Sequence, residues 1–592
     1  MPPSALDTTQ PFVLLDDARE EGTAAARLFL DPLEFAVATV PNEVPALLAT
    51  LDRWQAEDAL AAGFLSYEAG HALDGKLAPL AAPLPDGWPL GWFARFARCE
   101  RVAQGDVAAL LPDPDAAWIG APQPQIDYPA YAGRMEAVLD HIRAGDIYQA
   151  NLTFPARVPI QGDPLAVYAR LRSRARAGYG AIVSTGEHKL LSLSPELFFT
   201  LRDRQIIARP MKGTAARNAD LASDVAARTE LATDPKQRAE NLMIVDLIRN
   251  DLSRVAIPGS VAVPSLFRVE TYPTIHQMVS DVTATLRPDT SIGTLLGSIF
   301  PCGSITGAPK LSAMAIIDRL ETTPRGAYTG SIGFIAPGGE AAFNVAIRTL
   351  ALRDGDACAT LGLGSGIVAD SVAPSEWQEC LAKGEFVRVA GSTFDLIETM
   401  RFDPLDGVIR LDRHLERLGA SARTFGFSFD RHALRNHLQQ ATFRQRGTAR
   451  IRLRLSAGGN VAIAVDPLPD TSDASVTVAI APLPVASADF RLRHKTSDRT
   501  FYDAARTASG AFETLFEDGK GRLTEGSFTS LFVERKGTLL TPPLALGLQP
   551  GVLRAELIAE GRATEAELTR TDLTDGFMIG NSLRGLIPAT LL

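Results

Sequence analysis

Lys212 sits in Pro210-Met211-Lys212-Gly213-Thr214, directly after the apolar run Ile206-Ile207-Ala208. Proline and glycine on either side predict a tight turn after a strand, where backbone rather than solvent places the amine. A neutral amine held this way is a nucleophile. A second lysine, Lys495, lies in Phe490-Arg491-Leu492-Arg493-His494-Lys495-Thr496. Partial alternation predicts a half-buried strand there, with Phe490 and Leu492 on one side and Lys495 on the other. A lysine beside a turn is more often simply solvated, so each case rests on what accompanies it.

Carboxylates accompany the first lysine. The run 238–251 predicts a largely buried helix with Glu240 at its start. Glu376 and Glu379, three apart, share one face of another predicted helix. Oxygen ligands from two helices suit a hard cation such as Mg²⁺, which keeps some waters and can hold a substrate carboxylate. Capping and surface pairing are the structural alternative. Gly303-Ser304-Ile305-Thr306-Gly307-Ala308-Pro309-Lys310 leads into a helix, and Gly362-Leu363-Gly364-Ser365-Gly366 predicts a glycine-rich turn. Exposed backbone N–H groups at such places bind anions.

Around Lys495 the pieces differ. Leu523-Thr524-Glu525-Gly526 puts a carboxylate just before an apolar strand. Gln549-Pro550-Gly551-Val552-Leu553-Arg554 is a turn opening a helix, and Gly580-Asn581-Ser582-Leu583-Arg584-Gly585 is a second small-residue turn. A pyridoxal phosphate enzyme needs a lysine for the imine and a carboxylate that keeps the pyridine nitrogen protonated. It also needs helix N-termini and an arginine for the phosphate.

The elements that must carry these residues fall into two groups. Tyr131, Met135, Val138, Leu139 and Ile142 follow helical spacing, and the run 147–152 reads as a strand. A helix is expected over 240–252, β-rich runs over 330–336 and 341–352, and a helix over 376–390. Proline-rich stretches at 79–90 and 112–126 read as loops. Gly391-Ser392 breaks the pattern, which then restarts. A strand over 394–401, a helical stripe of Leu411, Leu415, Leu418, Ala422 and Phe425, and strands near 448–456, 460–465 and 475–481 predict a second α/β domain. The expected domains are therefore 1–390 and 393–592.

At 592 residues the chain is too long for a single core. Hydrophobic residues make up 46% and charged residues 22%, ordinary for a globular protein. A net charge of −10 argues against a nucleic-acid surface. Cys99, Cys302, Cys358 and Cys380 form no C-x-x-C pair, which indicates neither a disulfide framework nor a zinc site. Asp7, Asp16 and Asp17 replace the basic-then-apolar pattern of a signal segment, and no apolar run spans a bilayer, so a cytoplasmic enzyme with no membrane partner is expected.

Over roughly 120–390 these segments resemble the chorismate-utilising enzyme family. The resemblance is carried, in order, by Ser194-Pro195-Glu196, the PMKGT stretch, 240–251, 303–310, Ile347-Arg348-Thr349, 364–371 and 376–379. Residues 11–100 resemble its N-terminal part more weakly, notably at Gly63-Phe64-Leu65-Ser66-Tyr67-Glu68-Ala69. PMKGT is similar to the PIKGT of the aminodeoxychorismate synthase branch, where the lysine is a covalent nucleophile and where anthranilate synthases carry alanine. The resemblance implies an α/β (α+β) sandwich of two large antiparallel sheets with flanking helices. It implies Glu240 and Glu379 as Mg²⁺ ligands with Glu376 close by, and Glu196 as general acid/base at the C4 hydroxyl of chorismate. It implies substrate contacts from His276, Thr306, Tyr328, Arg348, Gly364, Ser365 and Gly366. Gln149 stands where water-activating relatives carry lysine, which disfavours water attack at C2. Cys302 departs from a position often held by glycine.

Residues 393–592 resemble the fold-type IV pyridoxal phosphate family, which holds aminotransferases and 4-amino-4-deoxychorismate lyase. The resemblance implies Lys495 as Schiff-base lysine, Glu525 as pyridine-nitrogen partner and Arg417, in His414-Leu415-Glu416-Arg417-Leu418, as phosphate ligand. Gly551, Val552, Ser582 and Leu583 complete the phosphate contacts, largely through backbone N–H groups. It is compatible with a homodimer through this domain, and it does not separate lyase from aminotransferase. The neighbouring domain does, because it makes the lyase's substrate. The expectation is a bifunctional transferase and lyase for 4-aminobenzoate on the folate route. Its alternative is an anthranilate synthase fused to an aminotransferase. No cysteine lies in a glutaminase-like nucleophile turn, so ammonia is expected free or from a separate glutamine amidotransferase subunit.

Overall fold

The computed structural model describes residues 6, 8–19, 24–218, 220–271, 275–388, 394–469 and 475–592. The break expected at Gly391-Ser392 lies outside them. The chain forms two compact units, of residues 1–112, 121–158 and 168–390, and of residues 113–120, 159–167 and 391–592.

In the first unit the strands pair predominantly antiparallel. One sheet runs Ala26–Ala38, Gly91–Val102, Leu60–Leu65, Ser331–Ala336, Glu340–Asn344, Leu197–Arg202, Gln205–Ala208 and Ile275–Thr285; the last also pairs Met211–Ala216 and Ala262–Thr271. A second runs Phe12–Asp16, Tyr179–Ser184, His188–Ser194, Thr349–Arg353, Cys358–Ile367, Gln149–Gln161 and Gly307–Ala308. Phe12–Asp16 joins them by pairing with Ala26–Ala38. Phe29, Phe64, Phe96 and Phe334 of the first sheet pack with Ala181, Val183 and Leu190 of the second. Each fully buried phenylalanine contributes about 1.5–3 kcal/mol. The first sheet's other face, with Phe93, Phe199, Ile206 and Val282, is covered by the helices Val44–Ala56, Pro235–Ser253 and Ile292–Ile299. The expected two-sheet α+β sandwich is thus present.

Helix ends follow local chemistry. Asp127 caps Tyr128–Arg143 by accepting from Ala130 N at 2.9 Å, and Tyr131, Met135, Val138 and Leu139 form its buried stripe. Asp234 caps Pro235–Ser253 through Gln237 N at 2.7 Å. This helix therefore begins before Glu240, which lies in its second turn rather than at its start.

In the second unit Gly407–Val408, Leu396–Asp403, Ala449–Leu455 and Val461–Pro467 form an antiparallel sheet. The expected helical stripe is the helix Leu411–Phe425, whose Leu415, Leu418, Ala422 and Phe425 pack in this unit's core. A mixed sheet follows, in which Val476–Pro482 pairs in parallel with Glu513–Glu517 and Gly585–Leu591. Among the described residues no helix is long and apolar enough to cross a membrane.

Two candidate active sites

In the first unit a cavity of about 520 Å³ is lined by Lys212, Glu196, Glu240, Glu376, Glu379, Tyr328, Arg348, Gly364 and Gly366, among others. Lys212 is not in a turn. It lies on the strand Met211–Ala216, where the register against Ile275–Thr285 shifts between Met211 and Thr214. Gly213, at φ +99°, forms this bulge, a backbone position that suits glycine. Asn241 Nδ2 donates to Lys212 O at 3.2 Å and Gln277 Nε2 to Gly213 O at 2.8 Å, so helix and sheet both fix the bulge.

The stretch 362–366 is not a turn either; it belongs to the strand Cys358–Ile367. Side chains alternate along a strand. The glycines at 362, 364 and 366 face the cavity, and Ser365 faces away, its Oγ 3.3 Å from Tyr131 Oη. A Cβ on Gly366 would lie 2.7 Å from both Lys212 Nζ and Gln149 Nε2. That glycine leaves the space in which the amine and the amide approach each other. Gln149 is fully buried, and both its amide atoms lack a partner among the described residues.

Glu196 accepts from Ser304 Oγ at 2.7 Å. Burial pushes its carboxyl up to about 7, against the opposing effects of the Ser304 hydrogen bond and the Lys212 charge. Glu240 lies 3.8 Å from Lys212 Nζ, and burial raises it too. Burial also acts upward on Glu379, but Lys383, 2.8 Å away, outweighs it and the net shift is down. Glu376 accepts from Ser371 Oγ at 2.7 Å. The donor set suits a water-rich hard cation. Each carboxylate, however, is turned to its own partner, and no group of three metal-ligating side chains is assembled among the described residues. Arg348 takes φ +49°, a sparsely populated conformation for a side-chain-bearing residue.

Of the expected substrate contacts, His276 and Thr306, like Ser365, do not line this cavity. His276 is buried between Thr271 Oγ1 and Asp224 Oδ1, each at 3.0 Å. Thr306 turns its hydroxyl to the carbonyls of Cys302 and Gly303 at 3.3 and 3.2 Å.

In the second unit a cavity of about 650 Å³ is lined by Lys495, Glu525, Arg417, Gly551, Val552, Ser582 and Leu583, among others. The expected strand around Lys495 is instead the short helix Phe490–Arg493, capped by Asp489 through Arg491 N at 2.8 Å. Lys495 follows it, its carbonyl accepting from Ile397 N at 2.9 Å. Burial, helped by Arg499 and Arg417, lowers its ammonium to about 7. Glu525 lies on the strand Leu523–Gly526 and accepts from Tyr502 Oη at 2.8 Å and Gln549 N at 3.2 Å. Burial raises it to about 7.

Arg417 is held in a fork by Glu398, with Nε and Nη2 at 2.8 and 2.6 Å, and donates to Pro550 O at 3.0 Å. His414 bridges Glu398 at 2.7 Å and Ser582 Oγ at 2.8 Å. Burial alone would raise Glu398, but Arg417 and His414 hold it down to about 2. Gly551 caps the helix Val552–Ala559, and a Cβ on it would lie 2.7 Å from Ser530 Oγ. Leu583 N is already donating to Asn581 Oδ1 at 3.0 Å. Lysine, carboxylate, arginine and helix N-terminus around one cavity, with Gln549 Nε2 buried and without a partner among the described residues, fit pyridoxal phosphate.

Residues 22–388 match a family model described as chorismate binding enzyme. The chain belongs to the chorismate binding enzyme family. Its residues 395–592 match the amino-transferase class IV model, in keeping with a fold-type IV second unit. Among relatives of this chorismate binding enzyme, it is 45% identical over 253 residues to aminodeoxychorismate synthase component 1 of Klebsiella aerogenes, covering 43% of this chain and 56% of that one. It is 39% identical over 330 residues to aminodeoxychorismate synthase of Streptomyces pristinaespiralis, covering 54% and 44%. The chain thus spans about half the length of the curated relatives it matches. Anthranilate synthase component I from Streptococcus pneumoniae TIGR4 is a structural neighbour, with TM-score 0.53 and 25% identity over 62% of this chain and 93% of that one.

Sequence reasoning on this chorismate binding enzyme missed Ser304, Lys383, Glu398, Tyr502 and Gln549. Glu398 left a signal. The inward positions of Leu396–Asp403 read Leu396, Glu398, Met400 and Phe402, and a lone carboxylate on a core-facing register needs a buried partner. Tyr502 is brought to Glu525 only by the fold.

Proposed function

We propose that the chain makes 4-aminobenzoate from chorismate in two steps, amination at C4 in the first unit and loss of pyruvate in the second. The observation that carries this is Lys212 entering the first cavity beside Gly366, with Glu196 lining the same cavity. The names of the relatives support the first step.

In the first step the Lys212 amine forms a bond to C2 of chorismate. Both ring double bonds shift, C1=C2 to C1=C6 and C5=C6 to C4=C5, and the C4 hydroxyl leaves as water, taking the proton that buried Glu196 holds. Ammonia then adds at C4, both double bonds shift back and Lys212 departs from C2 as the amine, giving 4-amino-4-deoxychorismate. Glu240 and Glu379, with Glu376, would hold Mg²⁺, which supplies charge neutralisation for a substrate carboxylate. Arg348, Tyr328 and the 364–366 backbone orient the ring, and Gln149 closes the end of the cavity beside the amine. Ammonia is drawn from a separate glutamine amidotransferase subunit, a reading supported by the "component 1" in the Klebsiella relative's name. The setting is cytoplasmic.

In the second step pyridoxal phosphate, when bound, supplies an electron sink. Lys495 takes the C4 proton, Glu525 holds the pyridine nitrogen, and Arg417 with the Gly551–Val552 helix start and Ser582 seats the phosphate. Elimination of pyruvate leaves an aromatic ring.

The test is incubation of the full chain with chorismate, Mg²⁺, ammonium and pyridoxal phosphate. Release of 4-aminobenzoate and pyruvate supports the proposal, and anthranilate as the main product sinks it. Lys212 stands against the anthranilate alternative.

A further inference from the structure

The second cavity is far more basic than a cofactor phosphate requires. Its lining includes Lys495 and six arginines against two acidic side chains, Asp503 and Glu525. Most of that charge is already committed. Arg417 is paired with Glu398, and Arg450 and Arg452 share Asp466 at 3.1 and 3.0 Å, with Arg450 Nε left buried without a partner among the described residues. Arg499 donates to Ser527 O at 2.5 Å.

Two arginines remain under-used. Arg584 has no ion pair among the described residues, and its neighbours include the like charge of Arg450, which together with burial lowers it. Among the described residues Arg506 pairs with Asp503, at 3.6 Å, and its Nε is buried without a partner. A buried donor left unpaired is costly, so such donors in a cavity await a ligand acceptor.

Their placement is specific. The Arg584 guanidinium stands 5.5 Å from the centre of the Phe512 ring, and that of Arg506 stands 5.8 Å from the Phe528 ring. The two rings meet edge to face at 5.8 Å, and all four side chains line the cavity. Two cations therefore flank an apolar aromatic pair.

We propose that Arg506 and Arg584 receive the two carboxylates of a ring dicarboxylate whose ring rests on Phe512 and Phe528. The inference rests on the reading above, since 4-amino-4-deoxychorismate carries one carboxylate on its ring and one on the enolpyruvyl arm. It deepens that reading by naming the residues that select a dianion over the monocarboxylate an ordinary amino-acid substrate presents. Guanidinium forks suit carboxylates in bidentate geometry.

The test titrates the cofactor-loaded full chain with benzene-1,3-dicarboxylate and, separately, benzoate. The visible band of the bound cofactor is read, because it reports on the second cavity alone. The dicarboxylate should saturate the response at a concentration roughly tenfold or more below benzoate, the step that one added charged contact gives. Arg506→Gln and Arg584→Gln should each remove most of that preference while leaving the unliganded band unchanged. Arg506→Lys and Arg584→Lys, which keep the charge, should retain part of it. Equal responses to both probes, no response to the dicarboxylate, or Gln variants that keep the preference overturn the proposal. Failure of the reaction itself would look different: no pyruvate from supplied 4-amino-4-deoxychorismate, with the dicarboxylate preference intact.

Discussion

Lys212 Nζ lies 3.8 Å from Glu240 Oε2, so the candidate nucleophile and a candidate metal ligand form one pair. A divalent cation held by Glu240 would compete with the lysine for the same oxygen. Cation binding and release of the Lys212 amine toward the ring would therefore be coupled.

The first prediction follows from that coupling. Glu240→Gln or Glu379→Gln should abolish C4 amination and leave the visible band of bound pyridoxal phosphate unchanged, since both lie in the first cavity. Amination assayed against added Mg²⁺ and then in chelator checks it. Full amination with no metal left would show that these carboxylates serve another purpose.

Replacing the lysine separates the two steps. Lys212→Ala should lower amination ~10³-fold or more, the scale on which removal of a covalent nucleophile acts. The same variant should convert supplied 4-amino-4-deoxychorismate to 4-aminobenzoate at the parent rate. Its residual product from chorismate should shift toward anthranilate. Parental 4-aminobenzoate formation from chorismate rules Lys212 out.

The acid has a pH signature. Glu196 is held at about 7 by burial, and as proton donor it acts in its protonated form. Amination should therefore fall as pH rises through about 7, approaching tenfold per pH unit. Ser304 donates to Glu196 at 2.7 Å, which favours the charged form. Ser304→Ala should move the falling limb to higher pH, and Glu196→Gln should remove it with most of the activity. A limb that moves down on Ser304→Ala contradicts this assignment.

The sequence announced the lysines, the carboxylates and most of the phosphate seat, because each is a local pattern of residue types. It misplaced their backbones. Glycines at 362, 364 and 366 look like a turn, yet on one strand face Gly362 makes room for Tyr328, Gly364 for Thr153, and Gly366 for Lys212 and Gln149. Proline and glycine around Lys212 likewise mark a bulge in a paired strand. His276 and Thr306 sit in the right segments but satisfy their own neighbours instead. Which face a side chain takes depends on pairing partners distant in sequence, such as Ile275–Thr285 against Met211–Ala216.

Glu398 gives a prediction on cofactor retention. It binds Arg417 and His414, and His414 reaches Ser582. Neutralising it by Glu398→Gln leaves a buried guanidinium uncompensated, at a cost of about 3–5 kcal/mol. Pyridoxal phosphate should bind at least about tenfold more weakly, as Arg417 loses its fork. The depressed carboxylate also sets an acid limit. Its stabilisation is present above the ordinary carboxylate range and is lost as pH falls toward about 2. Cofactor titration and thermal melting of parent and variant across acid pH check both effects. Unchanged affinity would leave the network without a role at the phosphate.

The last prediction separates elimination from transamination in the second unit. Lys495 is half-buried, and desolvation lowers its ammonium to about 7, so near neutral pH it can both give and take a proton. Elimination returns that proton within each turnover and consumes no second substrate. Transamination leaves the cofactor aminated and needs a keto acid to restore it. The parent chain should release pyruvate and 4-aminobenzoate in equal amounts from supplied 4-amino-4-deoxychorismate with no keto acid present. Lys495→Ala should lose the visible band of the lysine-bound cofactor and accumulate 4-amino-4-deoxychorismate from chorismate and ammonia. Amination continues in that variant because Lys212 lies in a different unit. A requirement for 2-oxoglutarate, with glutamate as co-product, would make the second unit a transaminase. Pyruvate release by Lys495→Ala at the parent rate would remove Lys495 from the proton path.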